Sequence, residues 1–185
     1  MYVVQADADR WDARYEGCRT GEPTPPKGYD LVDQALEGRV LDVACGLGEQ
    51  SIWAAKSGFD VVALDASPVA IERLREAADQ HRVGERIDAR VVDLDHGLPN
   101  EIGRFELVIC QRFRNRQVYP QLASVTAIGG TMLVTVLSQV GRNDIEIGPF
   151  HASPGELLEA FCDLDVDIVA HIEGDGEATL IAHRR

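Results

Sequence analysis

Three carboxylates and a glycine-rich turn in this chain are spaced as a ligand site would need them. Asp42 sits in a short apolar run in RVLDVACGLG, Arg39 to Gly48, and the run ends in the glycine-rich turn of Gly46 and Gly48. Glycines at such a turn take backbone angles closed to other residues and let the main chain approach a ligand with no Cβ in the way. The helix-forming residues Glu49 to Ser57 come next, so a helix N-terminus would aim its free amides at that ligand. A second apolar run, Phe59 to Leu64, ends in Asp65, at about the ~20-residue interval at which an acid commonly accepts hydrogen bonds from ribose hydroxyls. Two strand ends and a glycine turn are thereby expected to converge on one nucleotide-type crevice.

The elements that must hold these residues read as alternating strand and helix. Val40, Leu41, Val43 and Ala44 form a run too short for a helix and read as a buried strand. Ser67 and Pro68 mark the cap and first residue of a helix reaching about His81, with Val69, Ile71, Leu74 and Ala78 on its apolar side. Further strands are expected near Ile87 to Val92, Leu107 to Cys110 and Thr131 to Leu137, with a helix around Gln117 to Ala127. Ser153, Pro154, Gly155 and Glu156 combine a cap, an N1 proline and an N3 acid, and should launch a helix through Leu157, Leu158 and Phe161. Val166 to Ile172 and Ala178 to Ala182, separated by EGDGE, read as a terminal hairpin. The front of the chain reads as an arm with a short helix and a Pro/Gly loop, and Leu31 to Glu37 as a further helical turn or two. This order predicts an α/β protein built on a parallel sheet.

A dinucleotide fingerprint needs glycine three positions after Gly48, where Ser51 stands, so an NAD-dependent oxidoreductase fits less well. DVACGLGE instead resembles the first motif of the class I S-adenosylmethionine-dependent methyltransferases, with Ala44 in place of the usual first glycine. Asp65 in VVALDASP resembles that family's ribose-binding acid, and Asp93 in ARVVDLDHGLP its adenine-binding acid. FELVICQRF, Phe105 to Phe113, resembles the fourth-strand motif beside the methyl-transfer site, and GGTMLVTV the glycine turn entering the fifth strand. WDARYEGCRTGEP, Trp11 to Pro23, is similar to the N-terminal segment of the small tellurite-resistance and thiopurine-type methyltransferases.

The resemblance implies a Rossmann-like class I methyltransferase fold, with a seven-stranded, mostly parallel sheet, a C-terminal antiparallel hairpin and helices on both faces. It implies S-adenosylmethionine as cofactor. Asp42 would order the turn and reach the methionine amino group, Ala44, Gly46 and Gly48 would lie against the cofactor, and Asp65 would take the ribose hydroxyls. Asp93, with Asp95 as its competitor, would accept from the adenine amine, Leu94 would donate to the ring, and Ala66 would line one face. Trp11 and Tyr15 would close the pocket, residues 1–30 forming the closing arm. Cys110, Gln111, Arg112, Phe113 and Arg114 would line the acceptor side, Cys110 also touching the cofactor, and the acceptor would be a thiol, a metalloid or a small aromatic compound. Several of these residues have a purely structural alternative: Asp42 and Asp65 as turn or helix caps, Trp11 and Tyr15 as pins of the arm on the core, Cys110 as a core thiol, and Arg112, Arg114 and Arg116 as a solvated face. No catalytic acid or base is assignable. His96 and His151 are weak candidates, and a non-catalytic cofactor-binding protein remains an alternative.

At 185 residues and 45% hydrophobic content the chain is expected to form one domain. A net charge of -13 opposes binding to phosphate backbones, so no nucleic-acid partner is expected. The chain has no leader-like beginning and no stretch of about ~18 apolar residues, which predicts a cytoplasmic protein without membrane contact. Cys18, Cys45, Cys110 and Cys162 are widely spaced and are expected to be free, buried thiols, with no metal site.

Overall fold

The structure is a computed structural model that describes residues 3–32, 36–142 and 148–185, with side chains of the first helix from residue 9 onward. The chain divides into two compact units, Met1–Pro25 with Glu37–Ile102 and Pro26–Leu36 with Gly103–Arg185.

The first unit begins with helix α1 (Val3–Tyr15) and continues as a double crossover, β1 (Arg39–Val43), α2 (Glu49–Lys56), β2 (Asp60–Asp65), α3 (Pro68–Gln80) and β3 (Ile87–Val91). The three strands are parallel in the order β3-β2-β1, with Val43 beside Leu64 and Asp65 beside Val91. Their carboxyl ends are therefore level. Val40, Leu41 and Val43 on β1, and Ala63 and Leu64 on β2, have no exposed surface, as befits parallel strands covered on both faces. Helix α3 starts where Ser67 and Pro68 direct: the Ser67 hydroxyl accepts from the Ala70 N–H, and Pro68 occupies the first turn. It buries Ala70, Ile71, Leu74, Ala77 and Ala78, one face at helical spacing.

The second unit contains β4 (Phe105–Gln111), α4 (Tyr119–Val125), β5 (Thr126–Ser138), β6 (His151–Ala152), α5 (Glu156–Cys162), β7 (Val166–Gly174) and β8 (Glu177–Arg184). Its strands run β4-β5-β8-β7, parallel between β4 and β5 and antiparallel from β5 onward. The terminal hairpin turns on Asp175 and Gly176, both at positive φ (51° and 82°), which the two-residue turn preferred in hairpins demands. Parallel strands, flanking helices and a closing antiparallel pair make this the expected Rossmann-like class I fold.

Several local readings differ. The two-residue β6, which no sequence pattern marks, adds a strand by pairing with the end of β5. Helix α5 starts after Gly155, not after Ser153, because Gly155 takes φ 75° and so cannot be a helical N2 residue. Glu156 still accepts from the Ser153 N–H at 3.3 Å, as the box motif expects. The turn expected at Leu31 to Glu37 is a single 3₁₀ turn over Tyr29–Leu31, and residues 33–35 lie outside the described residues. All four cysteines are free, but Cys18 and Cys162 are exposed, since the arm and the last residue of α5 face solvent. No helix among the described residues is long and apolar enough to cross a membrane.

Candidate functional site

In the first unit the predicted cofactor residues gather at the carboxyl ends of β1, β2 and β3, the edge where open α/β sheets bind ligands. Asp42, the penultimate residue of β1, is 2% exposed and accepts the Ser51 hydroxyl at 2.6 Å. Ser51, which occupies the place of a third glycine, is thus the partner of the first acid. Burial pushes the Asp42 carboxyl up to about 7, against the pull of the Ser51 hydrogen bond, and the charges of Asp65 and Glu49 add to the rise.

The turn that follows is held from two sides. Ala44 takes φ 56°, a left-handed angle that favours glycine, and Gly46 and Gly48 take 53° and 85°. A Cβ on Gly48 would stand 2.1 Å from the Leu74 Cδ1, so this glycine is what lets the turn pack onto α3. Asp65 at the end of β2 spends both oxygens on the main chain: the Gly46 N–H donates to Oδ2 at 2.8 Å and the Ser67 N–H to Oδ1 at 2.9 Å. The carboxylate therefore braces the glycine turn against the start of α3. Its oxygens keep further lone pairs for a diol. Burial raises the Asp65 carboxyl, and the amides of Ser67, Gly46 and Ala66 oppose that rise. Cys45, between the two acids, is pushed well up by its own burial and then by their charges, so it stays a thiol.

Asp93 is half-buried and caps the short 3₁₀ turn Leu94–His96, accepting from the Asp95 N–H at 3.0 Å and pairing with the His96 Nδ1 at 2.7 Å. His96 is thereby a partner of Asp93. Leu94 is buried and Ala66 half-buried.

The arm lies against the glycine turn. Trp11 and Tyr15 stack with ring centroids 6.0 Å apart, and the Tyr15 hydroxyl comes within 3.0 Å of where a Cβ on Gly46 would sit. Burial, and then the charge of Asp65, push the Tyr15 phenol up. Two contacts that no local sequence signal marks pin the chain further on: the Thr20 hydroxyl donates to the Leu47 carbonyl at 2.9 Å, and the Gly21 N–H to Glu49 Oε1 at 3.1 Å.

The acceptor-side candidates belong to the second unit. Cys110 is fully buried in β4, its thiol directed weakly at the Phe113 carbonyl at 3.9 Å. Gln111 accepts from the Lys27 N–H and donates to the Leu133 carbonyl. Arg112 pairs with Glu177 at 2.9 Å, which Lys27 also meets. Arg114 grips Glu156 with two hydrogen bonds of 2.7 Å and donates a third to the Pro149 carbonyl. With Glu156 only 5% exposed, that fork ties the segment after β4 to α5, so the Arg114 charge is already used within the protein. Arg116 is exposed and Phe113 half-buried, and the His151 Nδ1 accepts from the Gly148 N–H. Among the described residues no group of His, Cys, Asp and Glu could hold a metal ion.

An open depression of about 270 Å³ lies at the opposite, amino ends of β1 to β3, lined by Arg39, Asp60, Arg86 and Asp88 among others. Arg86 and Asp60 pair with each other across it, and Asp88 pairs with Arg90 beside it.

Comparison with known proteins bears on the same residues. The methyltransferase-domain family model matches residues 40–130, from β1 to the entry of β5. Glycine N-methyltransferase of Oryctolagus cuniculus is 28% identical over 155 residues, covering 72% of this chain and 51% of that protein. The chain thus spans about half the length of the curated relatives it matches. TehB from Haemophilus influenzae superposes with a TM-score of 0.65 at 21% identity, over 80% of this chain and 57% of that one. The glycopeptide N-methyltransferase MtfA, solved with S-adenosylmethionine, gives 0.67 at 14% identity, over 91% and 97%.

Proposed function

We propose that this chain, a class I S-adenosylmethionine-dependent methyltransferase, transfers a methyl group to a small-molecule acceptor. The observation that carries the reading is the convergence of Asp42, the glycine turn, Asp65 and Asp93 on one carboxyl edge of three parallel strands. The cofactor presents an ammonium, a ribose diol and an adenine amine, all donors, and the residues present are acceptors of matching number and order. Asp42 takes the ammonium, Asp65 the ribose hydroxyls, Asp93 the adenine amine, and Leu94 donates to the ring. Gly46 and Gly48 admit the main chain to close contact, and Trp11 and Tyr15 cover the turn. When bound, the cofactor supplies an activated methyl group on a sulfonium.

The acceptor side needs no acid or base of its own for an acceptor that enters deprotonated. In-line displacement gains most of its acceleration from alignment and from exclusion of water, and a thiolate, phenolate or metalloid anion that has already lost its proton to solvent attacks the methyl carbon as the carbon–sulfonium bond breaks. Gln111 and Phe113, at the end of β4, are assigned to that positioning. Cys110 is core, and Arg114 supports α5. A small acceptor is favoured by the net charge of -13, which repels polyanions, and by the small-molecule name of the curated relative glycine N-methyltransferase.

Among the described residues no base is assignable, which keeps one rival reading, a cofactor-binding protein without turnover. Incubation of the purified chain with S-adenosylmethionine and a panel of thiols, inorganic selenium and tellurium species, amines and phenols separates the two. Formation of S-adenosylhomocysteine above the acceptor-free control, together with a methylated product, is the expected outcome. Cofactor binding without turnover on any class would favour the rival.

A further inference from the structure

Helix α1 presents a third residue on the face that carries Trp11 and Tyr15. Asp12 lies three positions before Tyr15, hence on the same side of the helix, and its carboxylate is turned onto α3. Asp12 Oδ1 accepts the Ser67 hydroxyl in a short hydrogen bond and the Val69 N–H at 3.2 Å. The first turn of α3 explains why it is received there. Pro68 has no N–H, the Ala70 N–H goes to the Ser67 hydroxyl oxygen at 3.0 Å and the Ile71 N–H to the Ser67 carbonyl at 3.2 Å. Val69 is the one amide of that turn left without a cap from its own element, and the arm provides the acceptor.

The same Ser67 holds Asp65 through its main-chain N–H, and Asp65 holds the Gly46 N–H, over which the Tyr15 hydroxyl sits. Asp12, Ser67, Asp65, Gly46 and Tyr15 thus form a closed circuit from the arm to the proposed ribose acid and back. Placing a second carboxylate near Asp65 is unfavourable by charge, and Asp12 indeed raises the Asp65 carboxyl. The amide and the positive end of α3 offset that repulsion.

We propose that Asp12 is a positioning residue that latches α1 across the glycine turn and so governs how fast the cofactor leaves. The inference rests on the assignment of Asp65 and the glycine turn to the cofactor. The arm must release its hold for exchange, and the hydrogen bonds of Asp12 are the part of that hold that reaches the helix behind Asp65.

The test measures S-adenosylhomocysteine release by stopped flow, read from Trp11 fluorescence in a Trp53→Phe background, with tryptic cleavage after Arg14 and Arg19 as a second readout of the arm. Asp12→Ala should speed release about tenfold and speed cleavage at both sites, while the melting temperature stays close to that of the parent. Asp12→Asn keeps one acceptor oxygen and should fall between the two. Asp12→Ala and Tyr15→Ala should be non-additive, because either one frees the arm. Unchanged release and unchanged cleavage in Asp12→Ala, or strict additivity with Tyr15→Ala, would overturn the latch. If the parent gave no binding signal, or bound as well with Asp65→Ala, the cofactor assignment would fail and the latch with it, a result distinct from normal binding with an indifferent Asp12.

Discussion

Asp42 is the residue whose chemistry is most altered by its place in the fold. Its carboxyl, pushed up by burial to about 7 from an ordinary 3.8, holds a proton in the folded chain over a range where the unfolded chain has lost it. The stability this contributes is full below about pH 4 and is lost as pH rises through about 7. The unliganded protein should therefore lose thermal stability across that window, and Asp42→Asn should flatten the loss. A cofactor ammonium beside Asp42 favours the carboxylate, so binding of S-adenosylhomocysteine at about pH 6.5 should release a proton. Calorimetry in buffers of different ionisation heat reads that release directly. A binding heat independent of buffer, or a buffer dependence that survives in Asp42→Asn, would remove Asp42 from the ammonium contact. Arg114 teaches the opposite lesson about residues. An arginine in a loop after a strand reads equally well as an anion hook or a solvated face, and Glu156, its actual partner, lies 42 positions away.

At the scale of elements, the contact between the glycine turn and α3 sets the geometry of the site. Gly48→Ala would place a methyl group 2.1 Å from a Leu74 side chain with no exposed surface, at a φ of 85°. A loss of about 2–3 kcal/mol is expected, read as a fall in melting temperature of roughly 5–10 °C. Gly58, at φ 100° with open space around it, supplies the control: Gly58→Ala carries the backbone strain alone and should cost about 1 kcal/mol. Equal losses in the two variants would mean that packing on Leu74 is not what selects glycine. The elements legible from the sequence were those with local instructions, such as the Ser67 and Pro68 start of α3 and the Asp175-Gly176 hairpin. The parts that escaped depend on distant partners or on one backbone angle. β5 begins at Thr126 rather than Thr131 because it pairs with Phe105 across a bulge, and α5 slips past Ser153 because of a single left-handed glycine.

At the scale of the whole molecule, the first unit contains every acid assigned to the cofactor, and the second contains the residues assigned to the acceptor. The strand-and-acid order of the first unit was readable because Asp42 sits within an apolar run and Asp65 and Asp93 directly follow one. Asp12, Ser51, Thr20 and Glu49 were not assigned because their partners, Ser67, Asp42, Leu47 and Gly21, become neighbours only when the crossovers and the arm close up. Asp12 left one trace, its helical spacing from Tyr15. The acceptor is written least clearly, since no motif of acid and base stands out in the sequence. The most direct measurement is calorimetric titration of the folded chain with S-adenosylhomocysteine and, separately, with NAD, repeated on Asp65→Ala. Binding of S-adenosylhomocysteine alone, weakened tenfold or more in Asp65→Ala, is the expected result. Preference for NAD, no binding by a chain shown to be folded, or equal affinity in the variant would contradict the assignment of this site.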